Sequence, residues 1–243
     1  MTPAPGPPRH SLFSSDTIAA LRQAHDQARG EGDAMLRAAC EGVLRAVEAS
    51  DAGRDPAAAT LMDEALAGAT DERLLFAGFQ FHFRAGRLED AERLASRRLD
   101  LAPAQSPAAS RACTNLGLVH LFRGEHDASE AMQRRALAID RALGDEAGIA
   151  RDLGNLALVP EARGDLDAAE KLYLEALEIA ERIGATAIAA TKLANLGDIA
   201  LARGKHEEAR GLWIRARSIF EALGDPKSRD QCDAKIAHTG ASS

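Results

Sequence analysis

A three-residue phrase returns along this chain at a fixed interval. Asn115-Leu116-Gly117, Asn155-Leu156-Ala157 and Asn195-Leu196-Gly197 stand 40 residues apart. The same shift carries Gly124 to Gly164 to Gly204, Ala136 to Ala176 to Ala216, Ile139 to Ile179 to Ile219, and Gly144 to Gly184 to Gly224. Self-similarity at such a period means units that cannot bury their apolar faces alone and do so by stacking on their neighbours. The core must be built from small aliphatic side chains, because 46% of the chain is apolar but only 4% is aromatic. Ala carries the strongest helix propensity and little bulk, so such a core suits helices packed at close range.

Within a unit, two helical patterns flank the first glycine. Leu153, Leu156 and Val159 mark one helix. Ala169, Leu172, Tyr173, Ala176, Leu177 and Ile179 mark the next, at spacings of three and four. Gly164 sits where the first helix stops and reverses, a position for a left-handed C-cap, with Asp165 and Asp167 at the following N-terminus. Gly184 plays the same part for the second helix. Pro160 falls near the end of the first helix and predicts a bend or a shortening there, either as a tolerated kink or as part of a shaped pocket.

These residues resemble the tetratricopeptide repeat. Its Leu-Gly pair, turn glycine, and Ala, aromatic and Ala positions fall on Leu196-Gly197, Gly204, Ala209, Trp213 and Ala216 in the last unit. The middle unit supplies Leu156-Ala157, Gly164, Ala169, Tyr173 and Ala176. The first supplies Leu116-Gly117, Gly124 and Ala136, with Ser129 and Gln133 as departures. A spacing of 40 exceeds the family's usual 34 or so. It is similar to the longer-helix variety of kinesin light chains, bacterial peptide-sensing regulators and tails of bacterial signalling ATPases, with wording nearest the bacterial kind. The resemblance implies an all-α fold, a right-handed alpha-alpha superhelix of about five helical hairpins with flanking capping helices.

The expected organisation is an N-terminal disordered segment over 1–14 with four prolines, an amphipathic helix within 15–32 (Asp16–Arg29, capped by Ser15 or Asp16), and two degenerate hairpins over 33–105. Gly53, Ala58, Met62 and Ala65 carry the first of these hairpins, Gly86 and Ala91 the second. Three 40-residue units follow over 106–225, then a capping helix and tail over 226–243, with the last four or five residues disordered.

In the family, the first helix of each hairpin lines a concave face. Carried over position by position, that face takes Arg73, Phe76, Gln80 and Arg84, then Arg111, Asn115, Leu118 and Phe122. It continues through Arg151, Asn155, Leu158 and Glu161, then Thr191, Asn195, Asp198 and Ala202. An Asn amide offers one acceptor and two donors, so Asn115, Asn155 and Asn195 could grip the backbone of an extended peptide without reading its side chains, as Asn here does in peptide-binding relatives. The alternative is an Asn bonded to a neighbouring helix, or merely solvated. Arg73, Arg111 and Arg151 form a second row suited to carboxylates or phosphates, which points to an acidic segment or a free C-terminus as guest. The alternative is pairing with Asp152, Glu161 or Asp198. Tyr173 and Trp213 are expected in the core, and Phe76 with Phe83 toward the groove.

Other chemistries find little support. Net charge is −7 with both signs interspersed, so no nucleic-acid partner is indicated. No apolar run approaches the roughly 18 residues of a membrane span, and the N-terminus lacks the order of a secretion signal. Cys40, Cys113 and Cys232 are odd in number and far apart, consistent with reduced thiols in the cytoplasm. The histidines, His126 and His206 among them, show no metal-ligand spacing, and no nucleophile–base constellation stands out. The expectation is therefore a non-catalytic, cofactor-free scaffold that binds a protein or peptide. A peptide-responsive regulator acting through conformational change, or a structural homo-oligomer, are the alternatives.

Overall fold

The computed structural model describes residues 15–51 and 55–240. The expected disordered start, most of the expected disordered tail, and Gly53 lie outside them, as do the side chains of Ser15 and Asp16. Among the described residues the chain forms twelve α-helices and no strand. They are α1 (Ser15–Glu31), α2 (Ala34–Asp51), α3 (Asp55–Leu66), α4 (Glu72–Arg84), α5 (Leu88–Leu101) and α6 (Pro107–Phe122), then α7 (His126–Leu143), α8 (Glu146–Ala162), α9 (Leu166–Arg182), α10 (Thr186–Ala202), α11 (His206–Ala222) and α12 (Pro226–Gly240). The fold is all-α, an array of antiparallel helical hairpins.

The glycine cadence explains the turns. Gly164 adopts φ 82° and Gly204 φ 72°, a left-handed conformation that costs a residue with a Cβ. The Gly164 N–H donates to the Glu161 carbonyl at 3.0 Å, and the Asp165 N–H reaches back to the Pro160 carbonyl at 2.8 Å. Gly204 and Lys205 repeat both bonds onto Leu201 and Ala200, at 2.8 and 2.9 Å. Two otherwise orphaned carbonyls at each helix end are thereby satisfied. The next helix is then capped by a side chain where an aspartate is available. Asp145 accepts from the Gly148 N–H at 2.9 Å, and Asp165 from the Ala168 N–H at 3.0 Å.

Pro160 does not shorten its helix. α8 and α10 each run 17 residues and end at equivalent positions. Proline removes only its own N–H, and this one sits within the last turn, where its carbonyl still serves the turn.

The chain divides into two compact units, Met1–Val119 and His120–Ser243, with the division inside α6. In the first, α1 packs on α2, α2 on α3 and α4 on α5. In the second, each helix from α7 to α12 packs on the next, and the first helices α8 and α10 also touch. That core is centred on Tyr173 and Trp213, both fully buried, with Ala157, Ala169, Leu196, Ala209 and Ala216 around them. Truncating a ring of this size to Ala typically costs about 3–5 kcal/mol. Close approach is built in: a Cβ at Gly197 would lie 2.4 Å from the Trp213 indole nitrogen, so only glycine lets α10 settle on that ring. Ser129 and Gln133, which depart from the family pattern, are fully buried on α7.

Candidate functional site

The first-helix positions singled out above fall in both units, and the chemistry around them differs. In the second unit, Arg151 on α8 donates to Asp140 of α7 at 3.1 Å and lies 3.7 Å from Asp152. Both carboxylates are buried, so Arg151 is engaged by the protein itself, with Asp152 as foreseen and with Asp140 in addition. Asn155 stands one turn further along α8, half-buried, and its amide forms no side-chain hydrogen bond among the described residues. Asn195, at the equivalent point of α10, is half-buried beside the Tyr173 hydroxyl. Leu158 is half-buried and packs against the core, whereas Phe122 at the end of α6 is 52% exposed.

Two buried rings pin acids to this face from behind. The Tyr173 hydroxyl donates to Glu161 at 2.6 Å. The Trp213 indole N–H donates to the Ala194 carbonyl at 3.1 Å and to Asp198 at 3.2 Å. Lys235 of α12 closes the network, its ammonium donating to both Asp198 oxygens at 2.7 and 2.6 Å and lying 5.8 Å from the Trp213 ring centre. Burial first, and then repulsion from Asp198, raise the Glu161 carboxyl above its ordinary range. Burial and the Glu161 hydrogen bond push the Tyr173 phenol far upward, so it remains a donor.

Lys192 is the residue that the repeat pattern passed over. It lies 5% exposed on α10, stretched across Gly154 of α8, where a Cβ would meet its ammonium at 1.9 Å. It forms no hydrogen bond among the described residues, and the charges that act on it are those of Arg151 and Asp152. Burial first, then the Arg151 guanidinium, bring its pKa down to about 8. The available signal was modest: the 40-residue shift takes Lys192 to Asp152 and then Ala112, an inward-facing position with no constant residue.

In the first unit, Arg73 turns back on its own helix. Its guanidinium donates twice to Asp71, the N-cap of α4, at 3.1 and 2.7 Å, and once to Gln27 of α1 at 3.3 Å. Gln80 accepts from the Thr17 hydroxyl at 2.7 Å. Phe76, Phe79 and Phe83 stack in sequence along α4, with ring centres 6.4 and 5.4 Å apart. Arg84 is half-buried, and that burial lowers its pKa. Leu118 is half-buried on α6. Arg111 donates to Glu72 at 3.2 Å, and the same carboxylate oxygen accepts from Arg98 of α5 at 3.0 Å. Asn115, one turn beyond Arg111, is 8% exposed, and its Nδ2 has no acceptor.

A repeated clasp was also missed. Arg163, at the end of α8, pairs with Asp127 and Glu130 of α7; Arg203, at the end of α10, pairs with Asp167 and Glu170 of α9. All three partners keep the 40-residue phase, which was the signal to read. Among the described residues no cluster of three His, Cys, Asp or Glu side chains could hold a metal ion, and no helix is long and apolar enough to cross a membrane.

Residues 109–182 match the family model described as tetratricopeptide repeat. No curated protein sequence matches the chain. Solved structures do. A Rap protein complexed with competence and sporulation factor superposes with a TM-score of 0.68 at 14% identity, over 93% of this chain and 71% of that one. A thermophilic tetratricopeptide-repeat protein from Thermus thermophilus gives 0.57 at 18% identity, over 82% of this chain and 100% of the other. A Podosopora anserina putative kinesin light chain, of nearly identical repeats, gives 0.55 at 15% identity, over 87% and 99%. At these identities the likeness is one of fold.

Proposed function

We propose, on the premise that the chain is a tetratricopeptide-like repeat protein, that it is a non-catalytic interaction scaffold whose first-helix faces hold an extended peptide or a partner's tail. The observation that carries this reading is the set of asparagines at equivalent first-helix positions. Within the second unit, Asn155 is half-buried and keeps its amide uncommitted among the described residues, and Asn195 stands half-buried at the equivalent point of α10. A recurring amide with spare donors and acceptors is suited to a peptide backbone, whose N–H and C=O groups must each find a partner once removed from water. The tyrosine and tryptophan anchors behind the second unit's face hold Glu161 and Asp198 in place. A guest would therefore meet a pre-formed surface and lose little free energy to ordering it.

The arginines contribute differently from the simplest expectation. Arg73, Arg111 and Arg151 each already hold an intrachain carboxylate, so an acidic guest would compete for them or share them. The complexed Rap structure lends a precedent of the same fold with a bound factor. Affinity capture from the source organism with wild type and an Asn155→Ala/Asn195→Ala variant tests the reading. Both side chains are half-buried, so the variant should fold as the parent does and lose the captured partner. Unchanged capture removes the asparagine row from the account.

Self-association is a second reading, favoured by Leu174 and Ile214, which stand 40 residues apart on α9 and α11 and are 49% and 45% exposed. Sedimentation at high concentration separates the two, because a monomer rules this one out.

A further inference from the structure

Lys192 has the makings of a nucleophile that peptide binding leaves unused. Its stem runs from α10 across Gly154 of α8, in a niche that exists because glycine has no side chain. A Cβ there would overlap the Lys192 Nζ, Cε and Cδ. Among the described residues the amine makes no hydrogen bond. Yet the nitrogen is not sealed from water. The fully covered polar atoms without a partner include Oδ1 of Asp140 on α7, but not the Lys192 Nζ. The 5% of Lys192 that stays exposed therefore includes its nitrogen, at a narrow opening. Other lysines are held by carboxylates: Lys205 lies 3.0 Å from Glu208, and Lys235 donates to both oxygens of Asp198.

The surroundings favour the neutral amine. Burial acts most strongly, because an ammonium without hydrogen bonds is poorly compensated away from water. Arg151 stands one turn before Gly154 on the same face of α8, and its guanidinium repels a second positive charge. Asp152, fully buried on α8, opposes both effects without cancelling them. Among the described residues no charge on α9 or α11, which also pack on α10, acts on Lys192. An amide in place of the amine would carry no charge, so the same burial that penalises the ammonium would not penalise an acylated side chain.

We propose that Lys192 is a covalent modification site whose Nζ, lying over Gly154, accepts the acyl group of a small acyl phosphate. The nitrogen lone pair attacks the acyl carbon, an N–C bond forms, and the C–O bond to phosphate breaks. Phosphate leaves with that electron pair, and the proton shed by the nitrogen passes to water. The narrow opening is what calls for a small donor. This inference stands apart from the scaffold reading, because it uses neither the asparagine row nor a partner protein.

The test treats the full chain with acetyl phosphate from pH 6.5 to 9.5. Mass spectrometry of the peptides then gives the initial rate of acetylation at each lysine. Lys171 and Lys227, both exposed, serve as references within the same molecule. At pH 7.5 an amine titrating at about 8 is about one-quarter free, and an ordinary lysine about one-thousandth. Restricted access takes back part of that advantage, so Lys192 should react about tenfold faster than either reference. Its rate should level off above about pH 8.5, where its amine is already free. Arg151→Gln should carry that levelling to higher pH, a shift that a merely structural role would not produce. Acetylation of Lys192 at or below the rate of the references overturns the assignment. So does a rate that climbs through pH 9.5 as an ordinary lysine's does, and either result leaves the asparagine row to its own test.

Discussion

Lys192 concentrates the residue-scale physics of the second unit. An ammonium that ordinarily titrates at 10.5 is brought to about 8 by burial, with Arg151 adding to the penalty and Asp152 opposing it. Such a shift corresponds to about 3 kcal/mol against the charged form at neutral pH. In the unfolded chain Lys192 stays protonated up to its ordinary value, whereas in the folded chain it has lost its proton above about 8. Between these limits the unfolded state binds more protons, so this group makes stability rise with pH across that window and leaves it flat below. Urea unfolding of wild type and Lys192→Met from pH 7.5 to 10.5 should show the rise in wild type and its loss in the variant. Parallel profiles would mean that the amine is hydrated and its burial does not act on it.

Residue-scale chemistry was also the least readable from the sequence. The arginine row could be placed on first helices by phase, but Asp140, the closest partner of Arg151, lies on the preceding helix in no motif that names it. Arg98 lies in a degenerate hairpin outside the 40-residue phase, so nothing marked it as buried.

At the scale of the element, the turns were legible because their chemistry is local. A left-handed glycine with an acid after it reads the same in the sequence as in the structure, and Gly164 and Asp165 do what their residue types require. Pro160 shows the limit of such local reading. Its missing N–H was foreseen, but not that its position so near the helix end leaves the length of α8 unchanged. Packing between elements separates two glycines that look alike in the sequence. A Cβ at Gly154 would meet the free end of Lys192, which can swing aside, whereas a Cβ at Gly197 would meet the rigid indole of Trp213 at 2.4–3.0 Å. Helix propensity alone favours Ala over Gly by about 1 kcal/mol at either site. Gly197→Ala should nonetheless destabilise the protein by about 1–3 kcal/mol through overpacking. Gly154→Ala should stay within about 1 kcal/mol of wild type, as propensity gain offsets displacement of the amine. Chemical denaturation of the two variants decides it: equal costs would contradict the placement of Trp213 against α10.

For the whole molecule, the repeat announced an all-helical array because the 40-residue phase is a global property that no single substitution erases. The candidate site was less legible, since phase tells which residues share a helix face but not which charges are already satisfied within the protein. The two units answer that differently. The first gathers Arg98 and Arg111 around a single carboxylate, and the second fixes Glu161 and Asp198 with Tyr173, Trp213 and Lys235. If first-helix faces are where partners dock, reactivity should follow helix type. A photo-crosslinking amino acid placed at Asn155 on α8, or at the exposed Leu174 on α9, reports this directly when irradiated in cells and read by mass spectrometry. The account predicts that a partner protein or peptide is trapped from position 155 and not from position 174. Trapping from 174 alone, or of a second copy of the chain there, would contradict it.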